Sequence, residues 1–385
     1  MTDLQIGALI DDPNLRTIVC CGAGGVGKTT TAAAIAVRAA ESGRSVAVLT
    51  IDPAKRLAQA IGLEQLGNEP AQVTAIDPAN GGRLDAMMLD MKRTFDEVVL
   101  RHAEPAKAQQ ILANPFYQAV SSSFAGTQEY MAMERLGQLH AERAADGSPR
   151  WDLIVVDTPP SRSALDFLDA PQRLGSFLDG KVIRLLGAPA RRGGRAYLKA
   201  VNVGVSSVTA VMSKIIGGDM LRDAQAFVAA LDTMFGGFRE RADATYALLA
   251  DRSTAFVVVA TPERDALREA AFFVDRLDQD GMPLAGVVLN RVQMTYVPSL
   301  SAGRALAAAE TLTEQAGRPR GWQPSDTADL LTLHATVTEL GIRHAQLIES
   351  FSASHPDIAT VQVAAASHDV SDVADLRQMG AELAG

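Results

Sequence analysis

The residues best suited to chemistry are Gly22-Ala23-Gly24-Gly25-Val26-Gly27-Lys28-Thr29, set between an apolar run, Thr17–Cys21, and an alanine-rich segment, Thr30–Ala40. The glycines let successive backbone N–H groups turn onto phosphate oxygens. Lys28 adds charge at the β- and γ-phosphates, and the Thr29 hydroxyl is a ligand for Mg²⁺. A helix opening here directs its positive dipole end at the same anion. Gly24, Gly25, Val26, Gly27, Lys28, Thr29 and Thr30 are therefore the expected contacts of a nucleoside triphosphate.

Two carboxylates follow at strand ends. Asp157 closes the continuous apolar run Leu153-Ile154-Val155-Val156, and a carboxylate beside a phosphate-binding loop is suited to Mg²⁺ or its water shell. Capping of the next turn is the plainer alternative. Asp52 closes the β-branched run Ser45–Ile51 and precedes Pro53. From spacing alone it either orients the water that attacks a γ-phosphate or forms an Asp-Pro turn.

The elements that must position these groups alternate. Strand patterns at Thr17–Cys21, Ser45–Ile51, Trp151–Asp157, Ala255–Ala260, Leu284–Asn290 and Thr360–Ala365 are separated by helical ones, with shorter extended pieces at Thr74–Asp77 and Ala86–Asp90. This order predicts an α/β fold with a doubly wound, mainly parallel sheet, whose ligands sit outside the carboxyl ends of the strands. Strand signals vanish from Lys92 to Arg143, where Pro105 and Pro115 break a helical pattern, and again over about Pro171–Asp251. The expected division is a phosphate-binding core of 1–92, 150–171 and 251–385, with 93–149 and 172–250 inserted as a helical subdomain. Further helices are expected at Asp265–Gln279, Ala302–Ala316, Thr327–Ser352 and the carboxyl terminus.

With 385 residues, 47% of them hydrophobic, the chain can bury a large core, and its net charge of −9 argues against nucleic acid as a partner. The only cysteines, Cys20 and Cys21, are adjacent, so they bridge nothing distant and offer no metal-ligand spacing. No signal pattern or long uncharged apolar run is present. A soluble, cytoplasmic protein is expected, with a peripheral membrane position as an option.

Taken together, Gly22–Thr29, Asp52-Pro53-Ala54, Asp157-Thr158-Pro159-Pro160 and Leu289-Asn290 resemble the arsenical-pump-driving ATPases and the GET-pathway ATPases that target tail-anchored membrane proteins. The resemblance covers most of the chain and implies a P-loop NTPase fold with ATP and Mg²⁺ as ligands. It also implies Asp52 as the catalytic, water-orienting residue alongside Lys28. Thr29 and Asp157 would form the metal site, Asn290 would read adenine, and Ala364–Asp369 would cover the base.

The chain departs from that family at two places. The second loop residue is usually a lysine that reaches the partner's ATP across a dimer; here it is Ala23. In this the chain is similar to the alanine-bearing member of a pair of actinobacterial arsenical-pump-like ATPases. A heterodimer with a lysine-bearing paralogue is implied, with self-association as the alternative. The second switch reads Ser161-Arg162-Ser163-Ala164 in place of Thr-Gly-His-Thr. Arg162 is either a substitute phosphate cation or a solvated loop residue. The expected function is an ATP-hydrolysing subunit that couples nucleotide state to an apolar client or membrane component; the alternative is a catalytically silent ATP-binding regulatory subunit. Leu198, Val201, Val205, Val208, Met212 and Ile215 recur at helical spacing, which suits either a client groove or the packed core of a helical layer.

Overall fold

The computed structural model describes residues 3–51, 56–77, 80–120, 127–159, 235–314 and 324–385. Asp52, Arg162, the second-switch residues from Pro160 onward, the apolar stripe Leu198–Ile215 and the Arg-rich segment at 184–195 lie outside them.

Among the described residues, eight strands form one sheet: β1 (Thr17–Gly22), β2 (Ser45–Thr50), β3 (Ala71–Gln72), β4 (Arg83–Met88), β5 (Leu153–Asp157), β6 (Thr254–Ala260), β7 (Leu284–Val292) and β8 (Thr360–Ala364), in the spatial order β3-β4-β2-β5-β1-β6-β7-β8. Every pairing is parallel except β3 with β4. β1 lies at the centre, and the crevice above its carboxyl end is where such sheets bind ligands.

The alternation of side chains divides the core in two. Ile18 and Cys20 of β1, Val46 and Val48 of β2 and Val257 and Val259 of β6 face one layer, with α1 (Ile6–Asp11), α2 (Lys28–Glu41), α3 (Arg56–Ala60) and the terminal helix Val373–Ala384. Val19 and Cys21, Ala47 and Leu49, and Phe256 and Val258 face the other. That layer holds residues of α4 (Met91–His102), α5 (Pro105–Leu112), α6 (Pro115–Val120), α7 (Thr127–Ala141), α8 (Phe235–Leu249) and α9 (Arg264–Gln279). The central strands are thus buried on both sides, which is why they read as continuous apolar runs. Beyond β7, α10 (Ala302–Glu314) and α11 (Pro324–Ser354) pack together through Ala302, Ala305 and Ala335. The last helix is α12 (Val373–Ala384).

Pro105 and Pro115 start helices, as expected of a residue with no N–H to leave unpaired in a first turn. Two short expectations are corrected. Thr74–Asp77 is not extended: Val73 and Ile76 are buried while Thr74 and Ala75 are exposed, the spacing of a turn, and the edge strand lies at Ala71–Gln72. The next strand is shifted towards the amino terminus of the expected Ala86–Asp90. Arg83–Met88 pairs residue for residue with Ser45–Thr50, and Asp90 has left the sheet to cap α4, accepting from Arg93 N.

Candidate functional site

The loop between β1 and α2 is shaped by backbone constraints that only glycine meets. Gly22 has φ 145, and a Cβ there would lie 2.1 Å from the Val259 carbonyl oxygen of β6. Gly27 has φ 93 and stands at the helix start without any side-chain cap, so the first N–H groups of α2 face the loop as a site for an anion. Gly24 and Gly25 are exposed on the loop, whereas Val26 turns its side chain into the core.

Lys28 is buried, and its Nζ donates to the Ala23 carbonyl at 2.6 Å. Ala23 is itself buried in the apolar layer shared with α2. Deeper in the site, Thr29 Oγ1 and Thr50 Oγ1 both donate to Asp157 Oδ2, each at 2.8 Å. Strand register produces this: Asp157 pairs with Cys20 of β1 on one side and with Thr50 of β2 on the other. A fully buried carboxylate is tolerable only with such donors. The hydroxyl and carboxylate oxygens are the hard donors Mg²⁺ accepts, so Thr29 and Asp157 fit the expected metal pair.

Asn290 lies over the same loop. Its Nδ2 donates to the Val26 carbonyl at 2.8 Å and its Oδ1 accepts from Arg291 N at 2.9 Å. Together Gly25, Gly27, Lys28, Thr29, Thr30 and Asn290 line a cleft of about 1320 Å³, closed on another side by Val363–Ser371. The expected base-covering segment and the phosphate-binding loop therefore face one space. Of the residues expected at the site, Asp52 falls outside the described chain, as does Arg162, the candidate second phosphate cation.

Sequence reasoning missed Thr50, Arg56, Arg291 and Tyr296. The last three line the cleft as well. Thr50 could have been found as the hydroxyl at the end of the strand next to Asp157. The others carry no local signal.

The two cysteines are packing residues on opposite faces of β1. Burial first, and the Asp157 carboxylate second, push the Cys20 thiol well above its ordinary range; burial pushes Cys21 up to about 12. Both stay protonated near neutrality, which suppresses thiolate chemistry.

Comparison with known proteins agrees with the geometry. Residues 15–299 match the sequence profile of a family described as anion-transporting ATPase. The chain is 29% identical to the ATPase GET3 of Malassezia globosa over 170 residues, 44% of this chain and 46% of that protein. It is 34% identical to protein Rv2184c of Mycobacterium tuberculosis over 176 residues, 43% and 39% of the respective chains. It is 25% identical to the ATPase GET3 of Podospora anserina over 287 residues, 74% and 75% of the respective chains. The matched stretch spans less than half the length of the first two of these relatives.

Proposed function

The chain belongs to the anion-transporting ATPase family, and from that premise we propose that it is an ATP-binding and ATP-hydrolysing subunit of a dimeric assembly, with a lysine-bearing paralogue as its partner. The observation that carries this reading is the set Thr29–Asp157–Thr50 beneath the glycine loop.

Thr29 and Asp157 would hold Mg²⁺, which supplies charge neutralisation at the β- and γ-phosphate oxygens. The remaining roles belong to the chain. Loop N–H groups from Gly24 to Thr29 and the start of α2 bind the phosphates. Lys28, resting on the Ala23 carbonyl, exchanges that acceptor for a phosphate oxygen. Asp52 orients the attacking water, and Asn290 with Ala364–Asp369 holds the base. Phosphoryl transfer asks for positioning and charge more than for covalent help. The second cation that would complete the site comes from the partner, because a methyl group at Ala23 supplies none to a second copy. On this reading the segments expected as the inserted helical subdomain, 93–149 and 172–250, relay nucleotide state to an apolar or membrane-associated client, at the cytoplasmic side.

A second reading, an ATP-binding but catalytically silent regulatory subunit, is favoured by Ala23 and by the altered second switch, Ser161-Arg162-Ser163-Ala164. Phosphate release by this chain, alone and mixed with a lysine-bearing paralogue, separates the two. Turnover in the mixture that is halved when only this chain carries Asp52→Asn supports hydrolysis here. Turnover untouched by that change, with ATP still bound, supports the silent subunit.

A further inference from the structure

Asn290 occupies a break in the ladder between β7 and β8. Leu289 pairs with Gln362 and Val292 with Ala364, so β7 uses three steps where β8 uses two. One extra residue on a strand is a β-bulge, which leaves backbone unpaired and re-aims a side chain. Arg291 takes up the irregularity with φ 58, a left-handed conformation rare outside glycine. The Asn290 side chain then meets two demands: Oδ1 accepts the Arg291 N–H, and Nδ2 donates to Val26 O, 264 residues away in sequence. These partners fix the amide orientation, because an N–H needs an acceptor and a carbonyl needs a donor.

Val26 O sits in the middle of the phosphate-binding loop, and the next residue is cut to fit the same side chain. A Cβ on Gly27 would lie 2.3 Å from Asn290 Nδ2. Asn290 is 6% exposed, so its bonds are shielded from water.

We propose that Asn290 is a positioning residue for the phosphate-binding loop, holding the Val26 carbonyl so that the N–H groups around Gly27 are set for phosphate before any nucleotide arrives. The proposal rests on the reading of the cleft as an ATP site and deepens it. An asparagine amide carries two donor hydrogens and two acceptor lone pairs. One of each is engaged, leaving one of each for a base. A single side chain thus joins the base end of the cleft to the phosphate end, and base contact reinforces the loop geometry rather than competing with it.

The test uses the whole chain and two ligands, ATP and inorganic tripolyphosphate, which lacks a base. With Asn290→Ala, tripolyphosphate affinity is expected to fall about five- to tenfold, the loss of roughly one shielded hydrogen bond, and ATP affinity by more, because the base contact is lost as well. Amide hydrogen exchange at Gly25–Lys28 should rise in the ligand-free protein. Asn290→Asp provides a second variant for the exchange measurement: it keeps an acceptor for Arg291 N but cannot donate to Val26, and without ligand its charge has no phosphate to repel. Loss of ATP binding with tripolyphosphate binding and loop exchange unchanged would overturn the proposal and leave Asn290 a base contact only. Wild-type protein that binds neither ligand would overturn the ATP reading and the proposal with it.

Discussion

The Thr29 hydroxyl donates to Asp157 Oδ2 at 2.8 Å, joining the first turn of α2 to the carboxyl end of β5 across 128 residues of sequence. Thr50 donates to the same oxygen from β2. Three elements that meet only because β5 runs between β1 and β2 thus share one buried carboxylate.

Replacing that carboxylate tests structure and chemistry separately. Asp157→Ala leaves the Thr50 hydroxyl buried without this acceptor and should cost about 1–3 kcal/mol in denaturant unfolding. Asp157→Asn keeps an oxygen acceptor and most of the stability but loses the charge, so Mg²⁺-dependent turnover of the assembled enzyme should fall about 100-fold or more. Equal turnover for Asp157→Asn and wild type would remove Asp157 from the metal site.

Graded glycine substitutions should follow the room around each Cβ. A Cβ on Gly25 meets nothing within 4 Å, so Gly25→Ala pays only for its positive φ, about 1–2 kcal/mol. At Gly22 the obstacle is backbone, the Val259 carbonyl at 2.1 Å. Gly22→Ala should therefore cost more than about 3 kcal/mol. Thermal unfolding of the two variants checks the order, and equal losses would contradict it.

A pH dependence is built in at the other end of β1. His140 Nε2 lies 2.7 Å from Thr17 Oγ1, and burial, followed by Arg16 and Arg143, pushes its pKa down to about 4. The unfolded chain therefore binds this proton more tightly than the folded one. Its contribution is intact above about pH 6.5 and is lost as pH falls towards 4, of the order of 3 kcal/mol in all. His140→Gln, which cannot charge, should flatten that part of the stability profile measured by urea unfolding. An unchanged slope would assign the acid sensitivity to other groups.

Ala23→Lys tests the missing cation. The Ala23 side chain is buried against α2 and its neighbours, so a lysine there must leave the core and should lower stability by about 1–3 kcal/mol. If the absent lysine limits self-associated chains, phosphate release by the purified variant should nonetheless rise above wild type. No rise, with dimer formation confirmed by sedimentation, would place the limit elsewhere.

The glycine loop, the six long strands and Asp157 were legible because each is a local pattern: a spacing of glycines, or an apolar run ended by a charge. What pairing decides was not. Thr50 meets Asp157 through strand register, and the Arg83–Met88 strand takes its bounds from β2. The bulge that turns Asn290 onto Val26 arises from an unequal count of residues on β7 and β8. Asn290 itself was reached through family resemblance, and its bond to the loop had no sequence signal at all. Short α1 was also missed, since Ile6 and Ile10 give only one helical repeat.

The most direct measurement is a titration of ATP into the purified chain, with and without Mg²⁺, beside Lys28→Ala. The account predicts binding that Mg²⁺ strengthens and that Lys28→Ala weakens at least about tenfold, the loss of a charge-assisted bond to phosphate. Equal affinity in the two proteins, or affinity indifferent to Mg²⁺, would contradict it.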